Sequence, residues 1–239
     1  MKKFIAGLVM LSLLFSSFLL NIPISFAQKK YGESPILSDL VKQGKLPPVD
    51  QRLPEEPYVV KEGVDIQAKY LKPEIGKYGG TLRTLTNGGE WWGMTRDQLV
   101  SQPGLGEVGK KPIGGIFKDF DMSKDAKVFT FHLRKGMKWS DGEPLTTEDV
   151  RFAYEDVLLN KELTPVFPTW LANTDGTPCK VEIVDKYTFR LSFKESYGLF
   201  PYTLSLRWRG WDEGPLLQPS HYMKQFHIKY TPLEKLQPL

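Results

Sequence analysis

The chain has 239 residues, 41% of them hydrophobic and 25% charged, with a formal net charge of +4 that falls to +2 once Lys2 and Lys3 are set aside. This composition is enough for a buried core in one domain or two small ones, and a chain so near neutrality gives no argument for nucleic-acid binding. Cys179 is the only cysteine, which excludes an internal disulfide and leaves ordinary packing to hold the fold.

In chain order, the first 27 residues read as a cleaved secretory signal: Lys2 and Lys3 open it, Phe4 to Leu20 are apolar, and Ser25-Phe26-Ala27 supplies small residues for cleavage. The apolar run is short for a membrane anchor and no charged stop-transfer cluster follows it. Residues 28–76 form a Pro-rich arm. Ser34 to Val41 has the look of a short capped helix, and Leu46-Pro47-Pro48, Leu53-Pro54 and Glu56-Pro57 impose an extended path. Strand signals follow at 80–86, 127–134, 180–184 and 187–193, with Asp185-Lys186 turning a hairpin between the last two.

Phe129, Phe131 and Leu133 alternate with Thr130, His132 and Arg134, the period of a half-buried strand. Lys135-Gly136 and Ser140-Asp141-Gly142 are turn residues. Thr146 or Thr147 is placed to cap a helix that carries Glu148 and Asp149 in its first turn, and Val150, Ala153, Tyr154, Val157 and Leu158 fall on one of its faces. This helix spans 147–160, and a weaker helical pattern covers 219–227. The mixture indicates α/β or mixed α+β, with a twisted mixed sheet.

Several stretches invite chemistry. Gly104 through Lys110 matches two phosphate-loop patterns by letter, yet Gln102-Pro103 precedes it, Lys111 stands where a magnesium-binding hydroxyl belongs, and no helix pattern follows Pro112, so it reads as a surface loop. His132, His221 and His227 form no zinc spacing. Cys179 has no activating neighbour, no nucleophile elbow exists, and Glu148-Asp149 is explained by the helix start rather than as a glycosidase pair. The aromatic groups stand out more. Trp91-Trp92 follows Asn87-Gly88-Gly89-Glu90, and Trp208-Arg209-Gly210-Trp211 forms a second group. Indole faces stack on flat or apolar ligand surfaces and their N–H groups bond a polar edge. Asn87, Glu90, Trp91, Trp92, Trp208, Arg209 and Trp211 are therefore the candidate ligand-binding residues, core packing being the plainer alternative for each tryptophan.

The block HLRKGMKWSDGEPLTTEDV, His132 to Val150, closely resembles the signature of the family 5 extracellular solute-binding proteins, the oligopeptide, dipeptide and nickel binders of ABC importers. Tyr78-Gly79-Gly80-Thr81-Leu82-Arg83 is similar to their first strand, Lys180–Phe193 to the hairpin after the signature helix, and Gln218-Pro219-Ser220-His221-Tyr222 to a later P-x-H-Y segment. Gly44-Lys45-Leu46-Pro47-Pro48-Val49 with Arg52-Leu53-Pro54 resembles the arm of large members. The match is loose only between Trp92 and Val128, where Phe117–Asp121 occupies the place of a longer family passage.

The resemblance implies a periplasmic-binding-protein-like fold of type II, with 77–239 as an incomplete first lobe, because members run to more than twice this length. It implies a binding protein and no enzyme: the component of an ABC importer that captures oligopeptides in the periplasm, working with permease subunits as a monomer, without cofactor, metal or nucleic acid. An oligosaccharide ligand, favoured by the tryptophans, and a truncated product without transport role are the alternatives; such a piece is expected to hold ligand weakly. No cysteine near Ala27 offers a lipid attachment point.

Overall fold

In a computed structural model the described residues are 31–59, 76–81, 83, 100–101, 112–205 and 216–236. The chain divides into two units, Met1–Gly32 and Glu33–Leu239, and every element below belongs to the second. Short strands β1 (Val100–Ser101) and β2 (Ile113–Gly114) pair antiparallel. The main sheet has four strands, β3 (Phe117–Met122), β4 (Val128–Leu133), β5 (Lys180–Asp185) and β6 (Thr188–Ser192), in the order β3-β4-β6-β5. Every pair among them is antiparallel, so a parallel neighbour, which a mixed sheet needs, is not among the described residues. Of the expected strand at 80–86, Gly80, Thr81 and Arg83 are described and are not in a strand.

The alternation in β4 and β6 decides which face is covered. Phe131 lies opposite Phe189 and Phe129 opposite Leu191, and all four are fully buried, while Thr130, His132, Thr188 and Arg190 are not. The Phe131 and Phe189 rings stack with centroids 5.3 Å apart, and Phe117 meets both at 5.4 and 5.3 Å. Over this face lie helix α3 (Thr147–Arg151) with its continuation, a single turn at Thr169–Leu171, and helix α4 (Phe200–Ser205). They contribute Val150, Tyr154, Leu158, Trp170, Leu171, Phe200 and Leu204 to one core.

After Arg151 the signature helix widens into a π-helix over Phe152–Leu158, with the Leu159 N–H reaching back five residues to the Tyr154 carbonyl. The change of period alters the buried face. Val150, Ala153, Tyr154 and Leu158 are buried as the 3.6-residue pattern predicts, but Val157 is only partly covered, and Phe152 and Asp156 turn inward. They meet the C-terminal stretch, which comprises α5 (Ser220–Met223), a 3₁₀ turn at Lys224–Phe226 and α6 (Leu233–Leu236). Phe152 packs against His227 and Tyr230 with centroids 5.9 and 6.1 Å away.

The arm contributes two short helices that precede α3 in the chain, α1 (Ser38–Lys42) and α2 (Val49–Arg52). Helix α1 starts at Ser38 and no side chain caps it; the expected cap at Ser34 does not form. From α2 onward the arm runs along the turn that follows β4. The Glu55 N–H donates to the Lys135 carbonyl at 2.9 Å and Lys138 Nζ to the Gln51 carbonyl at 2.6 Å. Among the described residues no helix is long and apolar enough to cross a membrane.

Candidate functional site

The signature block builds a rigid frame, and one carboxylate organises it. Thr146 caps α3 and its N–H donates to Asp149 Oδ2 at 2.9 Å, closing a capping box. Trp139 Nε1 donates to the same oxygen at 3.2 Å. Asp149 Oδ1 accepts from both the N–H and the hydroxyl of Ser220, at 2.9 and 2.8 Å. The turn, the helix start and the Pro219-Ser220-His221-Tyr222 segment therefore meet at a side chain only 2% exposed. A second tie joins the same parts. His221 Nε2 lies 2.7 Å from Asp141 Oδ2, and this bond, with the Glu143 N–H, holds the Asp141 carboxyl below its ordinary range.

Arg134, at the end of β4, is the anchor of the arm. It is 8% exposed, donates from Nε to the Gly115 carbonyl and from a terminal nitrogen to the Glu56 carbonyl, and its guanidinium lies 5.6 Å from the centre of the Tyr58 ring. Burial lowers its pKa and the neighbouring acids oppose that shift. Planar Arg donors at fixed angles suit this task of joining three backbone segments.

Strand β3 is an edge of the sheet with a groove on each side. One, of about 950 Å³, is walled by the arm at Glu55 and Glu56, by Lys118 and Arg134, and by the hairpin at Asp185–Thr188. Its charges are largely engaged with each other: Lys118 pairs with Glu56 at 3.1 Å and His132 approaches Asp121 at 3.4 Å. The other, of about 660 Å³, lies between β2, β3 and α4, with Ile113, Phe120, Met122, Pro201 and Tyr202 in its walls, while the Asp119 and Asp121 carboxylates turn to His132 on the opposite face of β3. Strand β1 pairs with β2 and packs beside α4, so it touches two walls of this groove.

Asn87, Glu90, Trp91, Trp92, Trp208, Arg209 and Trp211 all lie outside the described residues. What the structure does place is the chain on either side of them. The Trp91-Trp92 stretch leads in sequence toward β1, the Trp208–Trp211 stretch follows α4, and β1 and α4 are neighbours. Gly104 through Lys110 also lie outside the described residues, while the histidines and Cys179 have structural employment. His227 Nδ1 accepts from the Lys229 N–H at 3.1 Å, which leaves Nε2 as the donor to the Asp156 carbonyl at 2.9 Å. Cys179 is 1% exposed and burial pushes its thiol up to about 12. Among the described residues no group of three or more His, Cys, Asp or Glu side chains is placed to hold a metal ion. Sequence reasoning missed Asp149, Arg134 and Asp156 as ties. The T-x-x-D spacing of the capping box was the signal for Asp149; nothing in the sequence marks the other two.

This layout is that of a type II periplasmic binding protein, and the comparisons agree. Residues 111–218 match the middle region of the bacterial extracellular solute-binding proteins, family 5, and the chain belongs to that family. Among its relatives, the periplasmic alpha-galactoside-binding protein of Rhizobium meliloti is 30% identical over 227 residues, 86% of this chain and 31% of the relative. A solved oligopeptide-binding protein OppA is 38% identical with a TM-score of 0.69, covering 87% of this chain and 30% of that one. The binding protein MelB of Agrobacterium fabrum, solved with stachyose, is 28% identical with a TM-score of 0.61, covering 88% and 33%. The chain thus spans about a third of the length of these proteins.

Proposed function

We propose that this chain captures a solute outside the cytoplasm for an ABC importer, and that the solute is a neutral oligosaccharide. The observation that carries the ligand class is the chain-long likeness to one protein named for an alpha-galactoside and another solved with stachyose. The tryptophans at 91, 92, 208 and 211 fit that reading, since indole faces stack on sugar rings. An oligopeptide is the second reading, favoured by the higher identity to the oligopeptide binder. The protein reaches its ligand through export by residues 1–27, works with permease subunits, and catalyses nothing. Tryptophan fluorescence during titration of the purified protein with stachyose and with a mixed peptide pool separates the two. A sugar-specific change supports the proposal, and a response to peptides alone overturns the ligand class. N-terminal sequencing of the protein from expressing cells that returns Met1 rather than Gln28 overturns the cleaved-signal step.

A further inference from the structure

We infer that the N-terminal arm is a strap, and that its seating on the signature turn sets how far the groove between β2, β3 and α4 stands open. No residue of 31–59 belongs to the hydrophobic core cluster, and Val49 is the one buried hydrophobic among them. Apolar burial is the main force that fixes a segment to its domain, so an arm that lacks it opens locally at low cost. What fastens the arm is polar and aimed mostly at main chain. Arg134 donates to the Glu56 carbonyl, the Glu55 N–H to the Lys135 carbonyl, and Lys138 to the Gln51 carbonyl. The partners run in opposite chain directions, so the arm lies antiparallel to residues 134–138. Pro54 and Pro57 flank Glu55-Glu56 and hold this stretch extended before it docks. Further back, Glu33 accepts from the Val49 N–H at 3.0 Å and pairs with Arg52. Those two ties lie within the arm and do not depend on the turn.

Glu56 reaches both ends of one corner. Its carbonyl accepts from Arg134, whose Nε donates to the Gly115 carbonyl at 2.9 Å, and its carboxylate pairs with Lys118 at 3.1 Å. Residues 114–118 are the corner that joins the β1–β2 pair to the main sheet. This corner is tight. A Cβ on Gly114 would collide with the Lys118 carbonyl, and the register of β3 against β4 shifts between Phe117 and Asp119.

The strands on either side of the corner, β2 and β3, are two walls of the groove of about 660 Å³, and α4 is the third. Helix α4 is fixed by fully buried Phe200 and Leu204, and β3 by fully buried Phe117. Strand β2 has no such anchor, since Ile113 and Gly114 are only partly buried. It is therefore the wall free to move, and the arm holds it through Arg134 and Lys118. A strap seated on one side of β3 thus controls the width of the cleft on the other.

Hydrogen–deuterium exchange on the full chain, read peptide by peptide, tests the coupling. Glu55→Pro combined with Lys138→Ala removes two of the bonds that seat the arm and alters neither the corner nor the groove lining. Exchange should rise about tenfold in residues 51–56 and by a similar factor in 113–118, with β6 unchanged. Arg134→Lys keeps the charge but loses the planar fork that reaches two carbonyls, so it should speed exchange in 113–118. Faster exchange in 51–56 with 113–118 unchanged overturns the coupling and leaves the arm a plain tail. Unchanged exchange in 51–56 shows that these bonds do not seat the arm, and overturns the strap. A rise that extends equally to Thr188–Ser192 is global unfolding and overturns it as well.

Discussion

Asp149 takes four hydrogen bonds on one buried carboxylate, from Thr146, Trp139 and twice from Ser220. A carboxylate has about four acceptor positions, so the donors and acceptors here are matched. Asp149→Asn keeps the size but turns an N–H₂ toward groups that are themselves donors. Buried donors left without acceptors are expensive, so we expect a loss of about 2–3 kcal/mol. Urea unfolding measures it, and a midpoint equal to that of the unchanged protein would show that the three segments are joined by other contacts. Asp156 is a different case at the same scale. Burial pushes its carboxyl up, but the hydrogen bonds from Lys229 and Tyr230, at 2.5 and 2.6 Å, outweigh it and leave the group below the usual carboxylate range.

At the scale of elements, β4 is the centre of the sheet, flanked by β3 and β6, and Phe131 is its central contact. Its ring touches those of Phe117, Phe120, Phe189 and Phe200. Phe131→Ala should cost about 3–5 kcal/mol, since the surrounding rings cannot collapse fully into the space left. A thermal melt within a degree or two of the unchanged protein would remove Phe131 from the core. The signature helix gives the acid prediction. Two hydrogen bonds from Arg151, with one from Lys224, draw the Glu148 carboxyl down to about 2 from an ordinary 4.5, against the opposing effect of burial. The folded group is the stronger acid, so this network stabilises fully above pH 4.5 and is lost as the pH falls toward 2. Glu148 keeps 43% of its side chain in solvent, where screening holds the gain small. Stability should fall between pH 5 and pH 2, and Glu148→Gln should flatten that slope in acid titrations followed by circular dichroism. An unchanged slope would mean that other carboxylates govern acid unfolding.

At the scale of the molecule, the local periods were legible because local sterics produce them. Phe129-Thr130-Phe131-His132-Leu133 alternates, and the strand lies where that alternation puts it, over Val128–Leu133. The turn at Gly136 and the turn at Gly142 have positive φ angles of 78° and 94°, which glycine adopts without a Cβ penalty. Thr146 and Asp149 cap the helix within three residues of each other. The family itself followed from that same short block. Periodicity failed where a residue's role depends on a distant partner. The buried face of Phe152–Leu158 departs from a 3.6-residue stripe because the helix widens to meet His227 and Tyr230, more than 70 residues onward. Arg134 reads as the polar member of an alternating strand until the arm is seen to bring the Glu56 carbonyl to it. The candidate groove draws Phe120 from a strand and Tyr202 from a helix some 80 positions later, a pairing no periodicity encodes. Residue order alone was enough for β4, β5 and β6, the turns, the helix cap and the family, because each depends on neighbours within a few residues, whereas β3, with Asp119 and Asp121 in it, carried no such pattern. Which polar side chains join the arm, the signature turn and the C-terminal stretch emerges from the folded chain alone, because a hydrogen bond's partner is set by where the chain returns in space.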